Sequence, residues 1–260
     1  MNYLLFRIIF LSLLGLVNLF FVLFILVKKK GHFDHVSFDI FLSALFSFLF
    51  VVTSALYNIY FSLGHETLAL TFARLSWIGG FLSSSFLVLV MDLAWSQYGR
   101  LKKYIISYVP VFSVFILALA TDKVFVRFIV IRGVPVVETT LLNDIGRIII
   151  FLEIAVGIFI LKKYFSTTYG YKRKQLSYFI YGTVIYGLGV IFFGTFIPMF
   201  IRDLLAKDLI YDSIMLFTAV WIGFLAYAII KYKLLEIETI FHKTMMWFTM
   251  SISILLPLFI

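Results

Sequence analysis

The stretch YLLFRIIFLSLLGLVNLFFVLFILV, residues 3–27, followed at once by Lys28, Lys29 and Lys30, decides the fold class. A secretory leader puts its positive charge before the apolar core and small residues after it. Here the order is reversed: Arg7 lies inside the run, the lysines come after it, and no small-residue cleavage site follows. At 1.5 Å per residue the run is long enough for a hydrocarbon core roughly 30 Å thick. It reads as a retained membrane helix.

The rest of the chain agrees. Of its 260 residues, 63% are hydrophobic and 13% charged, and Phe alone occurs 32 times. Soluble domains carry about 45–50% apolar and about 25% charged residues, so a water-soluble fold has no surface for this composition. The expected fold is an all-α integral membrane protein. Seven runs are long enough to span: about 3–27, 37–62, 67–95, 103–121, 144–164, 175–200 and 209–230, with a partial eighth at 245–260. These divide the chain into a seven-helix domain (1–230), an amphipathic junction helix (231–244) and the start of an eighth membrane segment (245–260). With no Cys there is neither disulfide nor thiol chemistry to consider.

Most joints are short. The long one, 122–144, holds VFVRFIVI and VPVVETT on either side of Arg132-Gly133, and this pattern predicts a β-hairpin lid outside the bilayer. Lysine and arginine set orientation. The joints after helices 1, 3, 5 and 7 collect 14 of the 22 basic residues, among them Lys28 to Lys30, Lys102, Lys103, Lys162, Lys163 and Lys172 to Lys174. The amino terminus is therefore expected outside. The net charge of +9 is a topology signal with attraction to anionic lipid, and nucleic acid is not needed to explain it.

Charge within a span is costly and marks an interior or a cavity. Glu153 lies mid-span in DIGRIIIFLEIAVGIFILKKYF, with Gly157 on its face to admit a neighbouring helix. Arg74, Trp77 and Asn58 fall in the outer half. Together with Glu153 they form the expected ligand site, Arg74 being the expected partner of Glu153; a structural ion pair is the simpler alternative. Asp39, Asp92, Asp144, Arg147 and Asp212 lie near span ends and read as interfacial anchors. HFDH (32–35) is one turn without further ligands, and no metal or cofactor is expected. Ser83, Ser84 and Ser85 read as a packing or helix-bending feature. The seventh run has no lysine before Lys231 for a retinal Schiff base, and no Asn-Pro pair of the kind found in G-protein-coupled receptors.

In AYAIIKYKLLEIETIFHK (226–243), Leu234, Ile237 and Phe241 share a helical face, while Lys233 with Glu236 and Glu238 with His242 line another side. A short interfacial helix fits this pattern. The stretch from Tyr227 through Leu234, Tyr-Ala-Ile-Ile-Lys-Tyr-Lys-Leu, resembles the closing motif of the seven-helix sensor region at the amino terminus of many bacterial histidine kinases. RLSWIGGFLSSSFLVLVM (74–91) is similar to the third helix of that family, and the long 4–5 joint matches in position. The resemblance covers roughly residues 5–240. It implies a sensory input module in a bacterial cytoplasmic membrane, with Lys231, Lys233, Glu236 and Glu238 in the relay to an output domain and no catalysis in this chain. The implied partners are the bilayer, a small-molecule or lipid ligand, and a second copy of the chain. No phospho-accepting His motif or ATP-binding domain is present, so the run 245–260 reads as the point where the sequence is cut short of that output. The alternative is a small transporter or membrane enzyme using Glu153 as a proton or substrate site. That reading calls for a second deep charge and broken helices, and only Pro110 and Pro198 read as interruptions.

Overall fold

The computed structural model describes residues 3–29, 35–94, 99–121, 124–131, 134–190, 192–193, 214–218 and 220–224. Along the chain these form α1 (Tyr3–Lys29), α2 (His35–Ser62), α3 (Glu66–Leu75), a 3₁₀ segment (Ser76–Gly80), α4 (Phe81–Ala94), α5 (Arg100–Ala120), strands β1 (Phe125–Ile131) and β2 (Val134–Thr139), α6 (Leu141–Thr167) and α7 (Gly170–Gly189). Residues 214–218 and 220–224 are also helical. Four stretches are long and apolar enough to cross a membrane: Leu4–Val27, His35–Ser62, Glu66–Ala94 and Arg100–Ala120. These match the first four expected spans. The fifth expected span lies inside α6, whose 27 residues include Asp144, Arg147, Glu153, Lys162 and Lys163. The junction helix and the eighth run lie outside the described residues.

Polarity runs opposite to that of a soluble bundle. On α1, Leu5, Ile9, Leu13, Leu16, Phe20, Leu23 and Val27 are exposed at steps of three and four residues, one continuous apolar stripe. On α6, Ile145, Ile148, Leu152, Val156 and Phe159 make a second. Water does not accommodate such stripes, whereas lipid tails do. Polar side chains share the inside with apolar ones: Asn18, Ser43, Ser47, Ser54, Asn58, Ser83, Ser84 and Ser85 are buried. Helices in lipid gain little by hiding apolar surface from one another, so small and hydrogen-bonding residues hold them together. Ser47 donates to Asn18 Oδ1 across α1 and α2 at 3.2 Å, and the Ser43 and Ser85 hydroxyls meet at 2.9 Å between α2 and α4.

α4 is the central helix, buried from Phe81 through Met91. A helix that is apolar or small on every side belongs in a bundle centre. It packs on α2, α5 and α6. At α6 the approach is close over Gly157, where an added Cβ would run into the Phe86 ring. The sequence expectation for Gly157 holds for that reason. Phe86 also meets Trp221 edge-on at 6.2 Å, and Trp221 stacks on Tyr186 of α7 at 5.2 Å.

The third expected span is broken where the sequence suggested one helix. SWIGG, Ser76–Gly80, winds as a 3₁₀ segment between α3 and α4. Two successive glycines are poor α-helix formers, each about 1 kcal/mol worse than Ala, and Ser76 turns its hydroxyl back onto the Ala73 carbonyl at 2.6 Å. Pro110 behaves the other way: α5 runs through it without a break. Proline removes the bond to the carbonyl four residues back, and helices in lipid tolerate it because neighbouring groups re-satisfy that freed carbonyl.

The expected hairpin forms. β1 and β2 pair antiparallel, with Phe128 opposite Val137 and Ile129 opposite Val136, and an irregularity between Phe125 and Arg127. Thr140 N–H donates to the Val124 carbonyl, closing the base of the hairpin, and the Thr140 hydroxyl caps α6 by accepting from Leu142 N–H at 3.3 Å. Val124 and Val137 pack with Trp77, Val114, Ala118 and Leu142, which docks the hairpin on the bundle end formed by α3, α5 and the start of α6.

Candidate functional site

A cavity of about 190 Å³ lies at the hairpin end of the bundle. Most elements contribute to its wall: Arg7 from α1, Ser54 and Tyr57 from α2, Ala73 from α3, Ser76 and Trp77 from the 3₁₀ segment, Val137 and Thr139 from β2, Asn143 and Arg147 from α6, and Tyr186 from α7. Phe50, Leu82, Ile150, Ile214 and Met215 supply an apolar side. Its described lining holds two guanidinium groups and no carboxylate.

The break in the third span positions the central member. It turns the Trp77 ring toward α6, where Gly146 leaves room for it; a Cβ on Gly146 would collide with that ring. Trp77 Nε1 donates to Asn143 Oδ1 at 3.1 Å. This fixes the Asn143 amide and turns its Nδ2, a donor, to the other side. Asn143 is 3% exposed, and its Nδ2 has no hydrogen-bond partner among the described residues. Arg7 is buried with its guanidinium 5.3 Å above the Tyr57 ring, within cation–π range. Arg147 is held by Asp144 at 3.0 Å. It is a wall residue of the cavity, not the headgroup anchor the sequence suggested.

Of the four residues expected to bind ligand, Trp77 lines the cavity. Asn58 is buried beside it in sequence from Ser54, donating its Nδ2 to the Ser54 carbonyl at 2.7 Å. Arg74, half-buried on α3, and Asn58 are not among the described lining residues. Glu153 sits one helical turn past Ile150 on α6. Its partner is not Arg74. Ser83 Oγ reaches Glu153 Oε2 at 2.5 Å and Ser84 Oγ reaches it at 3.1 Å. The serine triplet that read as packing therefore supplies the groups around the buried carboxyl. Its helical phase was the available signal: Ser83 and Ser84 fall on α4 where α6 crosses it.

A second polar cluster lies at the opposite end of the bundle. Lys103 of α5 pairs with Asp92 of α4 at 2.6 Å, both side chains under one-tenth exposed. Tyr104 donates to Asp39 Oδ1 at 2.5 Å, and Arg100 approaches the same oxygen at 3.6 Å. Asp39 and Asp92 are thus internal ties between α2, α4 and α5. The expectation that they reach headgroups or water fails because the start of α5 folds over them. The relay residues Lys231, Lys233, Glu236 and Glu238 lie outside the described residues.

Compared with models of known protein families and with curated proteins, the chain matches none of them.

Proposed function

We propose that this chain is the membrane-embedded sensory input module of a bacterial signal-transduction protein, a seven-helix bundle with its amino terminus outside. It binds a ligand in the outer half of the bundle and relays occupancy to a cytoplasmic output domain through the helix at 231–243. The observation that carries the reading is the cavity under the hairpin, walled by Arg7 from α1, Trp77 from the 3₁₀ segment, and Asn143 and Arg147 from α6. A ligand seated there touches α1, α2, the broken third span, α6 and α7 at once, so it acts on their relative positions. Contacts run inward from it: Tyr186 stacks on Trp221, Trp221 meets Phe86, and Phe86 sits on Gly157 beside Glu153. A ligand shifts such an equilibrium only by its differential affinity for the two arrangements, with a coupling of about 1–3 kcal/mol being typical. The resemblance of Tyr227 through Leu234 to the sensor-region motif supports the same reading.

The test has two parts. Sequencing the reading frame beyond codon 260 is expected to find a kinase, cyclase or phosphatase domain, and a stop there would remove the output on which the reading depends. In that complete protein, Trp77→Ala and Glu153→Gln shift basal output, and output unchanged by both overturns the proposal.

One observation favours a second reading, a small transporter. The 3₁₀ break at Ser76–Gly80 lies next to the buried Glu153, with Ser83 between them, and interrupted helices beside a deep charge are a feature of transport sites. Proton-coupled uptake in vesicles that is abolished by Glu153→Gln would establish it.

A further inference from the structure

We propose that Asp39 and Asp92 form a proton-binding site that fastens α2 to α4 and opens when its proton is lost. The site lies at the end of the bundle opposite the cavity and is independent of the cavity's role. Both carboxyls are enclosed: 1% of the Asp39 side chain and 7% of the Asp92 side chain are exposed. The two meet within hydrogen-bonding reach. Ionised carboxylates only accept, so this contact has no donor unless one of the two carries a proton. One oxygen of each is already engaged. Asp39 Oδ1 accepts from Tyr104 at 2.5 Å, and Asp92 Oδ1 accepts from Lys103 at 2.6 Å. The second oxygens, Asp39 Oδ2 and Asp92 Oδ2, are buried with no partner among the described residues. A proton on Asp39 Oδ2 supplies the missing donor.

The neighbouring bases decide which carboxyl holds it. Lys103 touches Asp92 directly, and a cation at that distance favours the ionised form. Arg100 stands 3.6 Å from Asp39 Oδ1 and gives its Nη2 hydrogen to the Tyr104 hydroxyl, at 3.0 Å. The close donor of Asp39 is therefore a phenol and not a cation. Like charges in contact do not both persist in a dry site, so the proton stays with Asp39 and the pair titrates as one unit. Among the described residues of this end, Tyr108 stacks on Tyr104 at 5.5 Å. His35 of α2, Lys102 of α5, and Lys162 and Lys163 of α6 are exposed, and α1 ends in Lys28 and Lys29. Arg100, with 35% of its side chain exposed, links Asp39 to water, so the site exchanges protons with the aqueous phase at this end. With the amino terminus outside, as the basic residues predict, that phase is the cytoplasm. The stability that the shared proton contributes is complete at low pH and lost as pH rises. Two carboxylates then repel across the α2–α4 contact.

The experiment follows the full chain in nanodiscs from about pH 6 to about pH 9, a range reached by buried carboxyls. The chain has no Cys, so nitroxides on His35→Cys of α2 and Lys102→Cys of α5 report one distance. The Lys103–Asp92 pair makes α5 move with α4. The distance is expected to grow with pH in the parent and to stay at its low-pH value in Asp39→Asn. In that variant Oδ1 still accepts from Tyr104, and the amide Nδ2 donates to Asp92 without needing a proton. The unlabelled Asp39→Asn protein should gain at least ~3 °C in unfolding midpoint on the parent between the two ends of the range. His35→Gln, which removes the exposed imidazole one turn before Asp39, should track the parent. A distance that ignores pH in the parent, or that changes equally in Asp39→Asn, overturns the proposal. A second readout needs no change at Asp39. In Glu153→Gln, which removes the buried carboxyl of α6, the infrared carbonyl band of a protonated carboxyl should be present at the low end of the range and lost at the high end. Its absence at the low end overturns the proposal as well.

Discussion

A hydroxyl has one proton to give, and Ser83 has two acceptors within reach. Its Oγ lies 2.7 Å from the Gly80 carbonyl and 2.5 Å from Glu153 Oε2. If the carboxyl carries its own proton, every contact has a donor: Glu153 donates to Ser83, Ser83 to Gly80, and Ser84 to Glu153. The break in the third span supplies the last acceptor in this chain. Glu153→Gln places an amide N–H where that proton would be, so it is expected to keep the unfolding temperature in detergent close to the parent value. Glu153→Ala leaves Ser84 without its acceptor and opens a void, at a cost of ~1–3 kcal/mol, read as a lowered midpoint. Equal damage from Gln and Ala would mean that an ionised carboxylate, not a neutral donor, fills the site. Sequence reading found Glu153 from its depth in the span. It assigned the wrong partner because charge suggested Arg74, whereas the groups that meet Glu153 are neutral serines on another helix. The guanidiniums of Arg7 and Arg147 were likewise legible as residues but not as neighbours, since 140 positions of chain separate them.

At the scale of elements, the opposite end of the bundle is tied by charge. Lys103 and Asp92 pair at 2.6 Å with both side chains almost fully enclosed. Removing one member of such a pair strands the other, at ~3–5 kcal/mol, whereas replacing both with apolar residues of similar size is often neutral. Lys103→Met alone and Asp92→Leu alone should each lower the unfolding midpoint strongly, and the double variant should recover most of the loss. A double-mutant cycle by thermal unfolding reads this directly, and simple additivity would mean that the pair is not a unit. The exposed Arg127–Glu138 pair across the hairpin makes the contrast, because pairs in water are worth about 0–1 kcal/mol. Helices and hairpin were legible because apolar run length and β-branched alternation are local signals. The interruption at Ser76–Gly80 was visible as a Gly-Gly pair but was outweighed by the apolar run around it. Pro110 gave the opposite error, since proline breaks helices in water more readily than among packed helices in lipid.

For the whole molecule, sidedness ties the parts together. Four stretches long and apolar enough to cross a membrane separate the amino terminus from the hairpin. Four crossings return the chain to the side on which it began, so the hairpin, the α2–α3 turn and the start of α1 share one face. The cavity agrees independently, because Arg7, Tyr57, Thr139 and Asn143 meet in its wall only if those ends are together. With α6 as the fifth crossing expected from the sequence, the α6–α7 turn at Tyr169 belongs to the opposite face, with the Lys103–Asp92 cluster. The chain contains no Cys, so single cysteines report without interference. His65→Cys and Val130→Cys, at exposed positions, should react with a membrane-impermeant maleimide added to intact cells. Tyr169→Cys, 77% exposed, should react only after the membrane is opened. Should His65 and Val130 label from opposite sides, the number of crossings between them is odd and the four-crossing arrangement fails. Should all three exchange sides together, the bundle stands and its orientation is inverted, which would turn the cavity toward the cytoplasm and end the proposal that it senses an external ligand.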